Sequence, residues 1–386
     1  MEVKQVYELM NLASKQMWGD EYIAVEDLSG FVSFGNAVMS DSKNYDNYLG
    51  VISPEIAKTV IRTLDSFNVV YKNIMVDGFT YGTFVRKLTV RILPAQETQA
   101  WNVGDSGFVP TNFKIDKPSV SQKLFAGVKT FEFDLTIPDM IMRGSFKNPE
   151  EMGALLSAMT DALVKSAVLY VNTANRLAVN TAIARVLNEN KRVVHLLTEM
   201  GYSGTAEDAK TDADVLRFTN ARIAQLIKFM QEPSVLFNEE KELRATPRDN
   251  MHVFFNSIYG ENSKRFLESG TYWKDLVSMP YFEEVTSWQG LLIEAEQAED
   301  QLTLPDFKST TTINATLDIG TGSPVTVNQS YIIGALFDRQ HVFTTLYDER
   351  MSTDRNNRNE YTNYTNIIDV GHGVDPSENA IVFVLD

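Results

Sequence analysis

The residues of this sequence that could bind a metal or transfer protons are few. The chain contains 4 histidines and no cysteine, so thiolate chemistry and disulfides are excluded. Asp369, His372 and Asp375 fall in one short glycine-rich stretch and resemble a set of metal ligands. Glycine-rich turns also collect Asp and His, because these side chains bond to nearby backbone groups. We therefore favour a structural turn and keep a metal-dependent enzyme using these three residues as an alternative.

A second pair, His195 and Glu199, has the spacing that puts two side chains on one face of a helix. No other histidine is near in sequence, so a cation close to a helix end is favoured over a metal site. The stretch 320–323 lacks the lysine of a phosphate-binding loop, and no Gly-x-Ser-x-Gly nucleophile motif is present. The sequence therefore predicts no catalytic residue, no metal and no cofactor.

The longest predicted element is a helix from Asn148 to about Glu189. Asn148 can cap its first turn, proline follows at the first helical position, and no Gly or Pro occurs between Gly153 and Gly201. The helix is so apolar that it must be covered on most sides, which predicts a buried spine. A membrane span is disfavoured because Asp161 and Lys165 fall inside its most apolar window.

Alternating apolar and polar residues predict two strands, from Phe84 to Ile92 and from Thr130 to Ile137. The segment between them contains glycines and prolines, so we predict a two-stranded flap with an irregular tip. An isolated ribbon is marginal in water, so it either packs on a partner or folds back on its own domain. The pattern leaves these two alternatives equally open.

The remaining segments are shorter. Residues 1–48 combine a possible helix at 3–18 with a polar, glycine-containing stretch, and such a segment has no core of its own. Residues 348–366 are very polar and dense in Asn, Arg and Thr. Periodicity predicts helices at 54–70 and 212–230, and strands at 252–255, 331–337 and 380–385.

The composition restricts the kinds of partner that the chain is expected to bind. The chain has 386 residues, 44% of them hydrophobic, and a formal net charge of −16. This acidity argues against phosphate-backbone binding as the main task, because that binding needs a concentrated basic surface. The first residues lack the basic and apolar regions of a signal peptide, so cytosolic synthesis is expected.

The order of flap, long helix, mixed middle region and terminal strand resembles the major capsid protein of tailed bacteriophages. The run Ile333–Asp338 followed by Thr344–Tyr347 looks like the late strand pair of that family. The stretch Gly373–Phe383 is similar to the family's polar turn before its last strand. The resemblance covers residues 36–386 and is strongest to short-tailed, Picovirinae-type phages. It implies an α+β chain with the Hong Kong phage-type capsid fold.

The resemblance also implies a domain arrangement. The expected parts are an N-terminal arm at 1–48, the first part of a peripheral domain at 49–77, an extended loop at 78–140, the peripheral domain with the spine helix at 141–195, an axial domain at 196–335, and C-terminal strands returning to the peripheral domain at 336–386.

What the resemblance implies for function is assembly. Hexamers and pentamers of this chain would form an icosahedral shell around double-stranded phage DNA, in virions assembled in the host cytoplasm. Expected partners are further copies of the chain, a separate scaffolding protein, a portal protein and DNA through weak contacts, with no membrane. Contacts between subunits are expected at the loop tip (Gln96, Trp101, Phe108 and Phe113) and at the arm (Trp18, Phe31 and Phe34).

Three other interpretations stay open from the sequence. The first is an encapsulin-like nanocompartment shell with a protein cargo, the second is the metal-dependent enzyme, and the third is a minor virion protein of the same fold. Some relatives join subunits by a Lys–Asn isopeptide bond. Lys114, Lys117 or Lys123 and Asn356 or Asn357 lie in suitable regions, but the sequence does not predict such a bond.

Overall fold

The computed structural model describes residues 3–52, 70–76, 85–90, 120–125, 128–269, 281–290, 305–318 and 324–386. The predicted helix at 54–70 and the predicted loop-tip contacts lie outside these residues. The chain divides into two compact units. Unit 1 holds residues 1–82, 128–180 and 343–372, and unit 2 holds residues 83–127, 181–342 and 373–386.

The helices, in chain order, are α1 (Val3–Trp18), α2 (Leu28–Met39), α3 (42–52), α4 (Asp139–Ser145), α5 (Pro149–Glu189), α6 (Leu196–Met200), α7 (Ala206–Ala209), α8 (Ala213–Met230), α9 (Ser257–Ser269) and α10 (Phe307–Thr310). The strands are β1 (Met75–Val76), β2 (Val85–Val90), β3 (Val120–Phe125), β4 (Val128–Pro138), β5 (Val193–His195), β6 (Met251–Asn256), β7 (Tyr281–Val285), β8 (Ile313–Leu317), β9 (Val325–Gln329), β10 (Ile332–Asp338), β11 (Val342–Asn356), β12 (Tyr361–Val374) and β13 (Ala380–Val384).

The predicted spine helix is confirmed as α5. Asn148 Oδ1 accepts a hydrogen bond from the Glu150 amide at 3.1 Å, so the side-chain cap forms as predicted. The helix ends where Asn190 takes a left-handed backbone conformation with φ of 53°. Its 41 residues span about 60 Å, at about 1.5 Å per residue. By length and composition α5 could also cross a membrane, but the structure packs one of its faces into the core of unit 1.

In unit 1 the N-terminal helices form part of the core. Asp27 caps α2 by accepting from the Gly30 amide at 2.7 Å, which starts a helix in the stretch predicted to be irregular. The ring of Phe146 lies 5.5 to 6.2 Å from the rings of Phe31, Phe34 and Tyr48. At Gly35 any side chain would collide with Phe146, since an added Cβ would lie 2.7 Å from it.

A four-stranded sheet completes unit 1, in the order β1-β11-β12-β4. The antiparallel pair β12 and β4 runs from Tyr361 opposite Pro138 to Gly371 opposite Val128. Tyr170 of α5 packs against this sheet, with its ring 4.9 Å from Phe133 and 5.4 Å from Phe131. The polar residues 348–366 belong to two long strands and the turn between them, within the range 336–386 where the resemblance implies C-terminal strands.

Unit 2 is built on a five-stranded sheet in the order β5-β13-β10-β6-β7. The strands predicted at 252–255, 331–337 and 380–385 are confirmed as β6, β10 and β13, and every residue of these three strands is buried. The predicted helix at 212–230 is confirmed as α8, with Asp212 as its cap. Its buried residues, which include Val215, Ile223 and Met230, pack in the same core as Phe255 and Phe383.

The predicted pairing of the flap strands is wrong. Strand β2 pairs with β3, with Lys87 opposite Lys123 and Val90 opposite Val120, and not with the strand at 130–137. That strand is part of β4 and pairs with β12 in the sheet of unit 1. On β4 the predicted apolar face is the buried one, since Phe133 and Ile137 are buried, whereas on β2 Leu88 is 59% exposed and Lys87 is partly buried. Alternation thus separated the two faces of each strand. It could not identify their partners, since it specifies which side chains share a face and not which strand lies alongside.

Candidate functional site: the β2–β3 ribbon and its ion network

The β2–β3 ribbon has two chemically different faces. Lys87 and Lys123 lie directly opposite each other on one face, and both side chains are partly buried. The neighbouring residues of the strands point the other way, because side chains alternate along a strand. On that second face Leu88, Val120 and Leu124 are each more than half exposed, at 59, 57 and 51%. The ribbon therefore turns Lys87 and Lys123 towards the body of unit 2 and the apolar side chains of Leu88, Val120 and Leu124 towards solvent.

The two lysines share one buried carboxylate. Lys87 Nζ lies 2.6 Å from Asp375 Oδ2, and Lys123 Nζ lies 3.0 Å from Asp375 Oδ1. Lys87 also forms an ion pair with Glu378, and Lys123 Nζ lies 2.6 Å from Glu240 Oε1. Two like charges directly opposite on paired strands repel each other. The carboxylates neutralise this repulsion, and their attraction for both lysines attaches the ribbon to unit 2.

The carboxylates stand on a rigid turn between β12 and β13. Asp375 Oδ1 accepts hydrogen bonds from the Ser377 amide at 3.0 Å and from the Ser377 hydroxyl at 2.8 Å. The Asp375 amide in turn donates to the His341 carbonyl at 2.8 Å. The side chain of Asp375 has no exposed surface and that of Glu378 only 7%. The turn and the Asp375 carboxylate are therefore fixed by contacts that do not involve the lysines.

The surroundings of the two carboxyl groups move their pKa values in opposite directions. Burial alone would raise the pKa of Asp375, but hydrogen bonds from Lys87 and Ser377 outweigh it and hold this pKa far below its ordinary value. Burial raises the pKa of Glu378, and Lys87 offsets that effect only in part. Burial lowers the pKa of Lys123, but the hydrogen bonds to Glu240 and Asp375 prevail and raise it. Asp375 and Lys123 therefore stay ionised at neutral pH.

The network extends to the end of the spine helix. Arg185, in the last turns of α5, binds Glu239 through two nitrogens, at 2.5 and 2.8 Å. The Glu239 amide donates to the Pro376 carbonyl at 3.0 Å, inside the turn that carries the carboxylates. On the other side, Arg244 Nη1 lies 3.5 Å from Glu378 Oε1. The ribbon, the spine helix and the loop at 231–244 are thus connected to one acidic turn.

A second exposed apolar surface lies on the loop at 231–244, where Val235, Leu236 and Leu243 are exposed, Leu236 by 72%. The loop is rigid, because the amides of Ser234 and Arg244 donate to each other's carbonyls at 2.9 and 3.0 Å. We name these three residues the apolar loop surface. Fixed apolar side chains in water are typical of surfaces that bind another protein.

The structure does not bring the predicted metal ligands together. Asp375 is held by the two lysines, whereas Asp369 Oδ1 accepts from Thr130 and Asp369 Oδ2 binds Arg350 at 2.9 Å. Asp369 and His372 are three residues apart on β12, so they lie on opposite faces of the strand. Within the described residues there is no group of His, Asp or Glu side chains suited to a metal.

His195 and Glu199 do not share a helical face either, since α5 ends at Glu189 and His195 is the last residue of β5. His195 Nδ1 lies 2.6 Å from Asp386 Oδ1, and Glu199 binds Arg222. Both residues are therefore parts of separate surface ion pairs.

Of the predicted contacts between subunits, Gln96, Trp101, Phe108 and Phe113 lie outside the described residues. Phe31 and Phe34 have no exposed surface and pack in the core of their own chain, so neither side chain has surface to offer a neighbour. Trp18 is half-buried, with its ring 5.7 Å from Phe34. A role for these residues between subunits stays a prediction.

Sequence reasoning missed Lys87, Glu240 and Glu378 as functional residues and assigned Asp375 to a different task. The available signal was local: the stretch 375–379 is polar and directly precedes an apolar strand. Lys123 was considered for an isopeptide bond, but its amine is protonated and bound to two carboxylates, so it is not a free nucleophile here. Lys114 and Lys117 lie outside the described residues.

Comparison with known proteins gives one strong match. The family model described as Phi29-like phage major capsid protein matches residues 10–384. No curated protein matches the chain.

Solved structures match the chain at low identity. The capsid structure of Staphylococcus phage Andhra is 10% identical with a TM-score of 0.49, and the match covers 83% of this chain and 86% of that one. The capsid structure of cyanophage P-SCSP1u is also 10% identical, with a TM-score of 0.44 and coverages of 83 and 88%. Mycobacterium phage Bobi is 8% identical, with a TM-score of 0.44 and coverages of 83 and 91%. The assignment therefore rests on the family model, which spans nearly the whole chain.

Proposed function

Because this chain belongs to the Phi29-like phage major capsid protein family, we propose that it builds the closed shell of a virion as hexamers and pentamers around double-stranded DNA. The chain is a shell-forming structural subunit, and many copies of it assemble into a phage capsid. The family match carries this conclusion and favours neither a nanocompartment shell nor a metal-dependent enzyme. We expect no catalytic activity.

Exposed apolar side chains in both units support assembly from identical copies. In unit 1, Leu169 and Leu177 of the spine helix are 45 and 43% exposed. Unit 2 adds the outward face of the ribbon and the apolar loop surface. Burying such side chains against a neighbour contributes about 25 cal/mol per Å² of apolar area, before the costs of ordering and association. Each contact can be weak, because every subunit makes several of them at once.

The partners of the finished particle follow from the same proposal. A net charge of −16 suits an inner wall along which packaged DNA slides and does not stick. We propose that a separate scaffolding protein sets the shell curvature, that a portal protein occupies one vertex, and that assembly takes place in the host cytoplasm. We also propose that the arm at 1–48 and the loop at 78–140 reach neighbouring subunits.

Electron microscopy tests the function directly. The purified chain, expressed alone and together with a candidate scaffolding protein, should form closed particles of uniform diameter in negative stain. A variant lacking residues 96–107 of the loop tip should remain a folded subunit by circular dichroism but form no closed particles. If the chain stays a stable monomer at high concentration under every condition, the shell proposal is wrong. If the deletion variant forms normal particles, the role of the loop tip is wrong.

A further inference from the structure

Ion pairs attach the inward face of the ribbon to the body of unit 2. On its inward face the two lysines reach four carboxylate contacts, shared among Asp375, Glu378 and Glu240. On its outward face Leu88, Val120 and Leu124 are exposed. A two-stranded ribbon is marginally stable by itself, so its position depends on the contacts of the inward face.

The carboxylates of Asp375 and Glu378 are better suited to hold the ribbon than surface acids are. Exposed ion pairs contribute little, because water and salt screen them and two flexible chains lose entropy. Here the acids are almost fully buried and belong to a turn fixed by its own hydrogen bonds, so they lose little freedom when the lysines bind. The lysines keep 18 and 21% exposure, which leaves a route for them to detach.

We propose that Asp375 and Glu378 form an electrostatic latch that holds the β2–β3 ribbon on its own subunit with Leu88, Val120 and Leu124 outward. Opening the latch frees the ribbon to take other orientations. The inference rests on the proposed function in one respect: the face that the latch turns outward is a surface that a neighbouring copy would cover. A shell needs each subunit to present this face in a defined direction, and the latch supplies that direction before assembly.

The test measures the position of the ribbon in separate subunits. The chain contains no cysteine, so cysteines introduced at Leu88 and at Arg217, which is an exposed residue of α8 in the same unit, are the only sites for spin labels. Double electron–electron resonance then reports the distance between ribbon and body. In the otherwise unchanged chain we expect one narrow distance distribution, because the latch is closed.

Two variants open the latch in different ways. Asp375→Asn keeps an oxygen for the Ser377 hydrogen bonds but removes the charge shared by both lysines. The double variant Lys87→Gln with Glu378→Gln removes one charge of each sign and therefore leaves less buried charge unpaired. It provides the test if Asp375→Asn fails to fold. The matched control is Lys264→Gln with Glu261→Gln, since Lys264 also binds two carboxylates in unit 2 but lies away from the ribbon. The distance distribution should become at least twofold broader in both latch variants and stay unchanged in the control.

The outcomes distinguish a failure of the latch proposal from a failure of the shell proposal. An unchanged distribution in a folded latch variant, or equal broadening in the control, overturns the latch. Particle formation is scored separately by electron microscopy, where latch variants should yield at least tenfold fewer closed particles. If the unchanged chain forms no particles, the proposed function fails, yet the distance measurement still decides the latch. If latch variants show broad distributions but assemble normally, the latch is not what orients the ribbon for assembly, and that part of the inference is overturned.

Discussion

At the scale of single residues, one buried ion pair ties the elements of unit 1 together. Asp139 is 1% exposed, and its Oδ2 accepts from Arg355 Nε at 3.0 Å and Nη2 at 2.9 Å. Its Oδ1 accepts from Thr362 at 3.2 Å, and the Arg355 guanidinium stacks 4.4 Å from the ring centre of Tyr45. Burial is the main reason that the pKa of Tyr45 is raised to about 12. Two helices, α3 and α4, and two strands, β11 and β12, thus meet at one carboxylate.

We predict that Arg355→Met lowers the free energy of unfolding by about 3 kcal/mol, because it leaves the buried Asp139 without its counter-charge. The measurement is urea unfolding followed by tryptophan fluorescence. The matched control is Arg350→Met, which breaks an ion pair with Asp369 whose arginine is 53% exposed, and this should cost less than about 1 kcal/mol. Equal effects of the two substitutions would contradict the assignment of Asp139 as a buried structural charge.

A second residue-scale prediction concerns pH. His341 is fully buried, and burial together with the positive charge of Arg192 lowers its pKa to about 3. In the unfolded chain a histidine binds a proton near pH 6.5. Between these values the unfolded state binds more protons, so stability falls as the pH falls from about 6.5 towards 3, by up to about 1.4 kcal/mol per pH unit.

The test is the slope of unfolding free energy against pH between 6.5 and 4.5. His341→Leu should make this slope smaller, whatever it does to stability at neutral pH. Some slope should remain, because burial also lowers the pKa values of His252 and His372. Leu236→Ser, at an exposed residue that binds no proton, is the control and should leave the slope as it is. A slope that His341→Leu does not change would contradict the prediction.

At the scale of elements, the spine helix depends on how it ends. Asn190 adopts φ of 53°, a left-handed conformation that Asn and Gly tolerate and that β-branched residues do not. The Asn190 side chain also lies 3.1 Å from His195 Nε2, next to the start of unit 2's sheet. The end of α5 is therefore set by one residue with the correct backbone preference.

We predict that Asn190→Val lowers the free energy of unfolding by about 1 to 2 kcal/mol, because a β-branched residue is strained at positive φ. Asn190→Gly accepts the conformation and should change stability by less than about 1 kcal/mol. Thermal unfolding of both variants by calorimetry gives the comparison. If valine is tolerated as well as glycine, the helix end does not depend on this conformation.

At the scale of the whole molecule, two compact units each carry large apolar side chains with exposed surface, among them Leu169 at 45% in unit 1 and Leu236 at 72% in unit 2. This is costly for a solitary protein in water, and it is the expected state of a subunit whose surfaces are completed by identical copies. The folding of a subunit and its assembly should therefore respond to different substitutions.

We predict that Leu236→Lys abolishes closed particles but changes the free energy of unfolding by less than about 0.5 kcal/mol, since Leu236 is 72% exposed in the subunit. Sedimentation velocity and negative-stain microscopy score assembly, and urea unfolding scores stability. Arg217→Gln, at an equally exposed polar residue of the same unit, should assemble normally. Normal particles from Leu236→Lys would remove the apolar loop surface from the subunit interface.

The sequence alone determined the features that depend on residues close together along the chain. Caps, helix propensity and apolar spacing located α5 and α8, and continuous apolar runs located β6, β10 and β13, because these signals act over a few residues. They missed α2, although Asp27 provides its cap, because glycines and polar residues made the stretch look irregular. Periodicity also identified no strand over 348–366, where polar residues occur on both faces of β11 and β12, and only the resemblance implied strands there.

Only the tertiary structure decided which distant residues meet. Alternation along β2 and β4 showed two faces for each strand, but partner choice depends on contacts far along the chain, so β3 and β12 could not be inferred. The latch could not be inferred from the sequence for the same reason. Asp375 looked like a metal ligand beside His372, and only folding placed two lysines from the ribbon on its two oxygens. A carboxylate in sequence has no fixed role, because its charge acts through space on whatever cation the fold brings within a few ångströms.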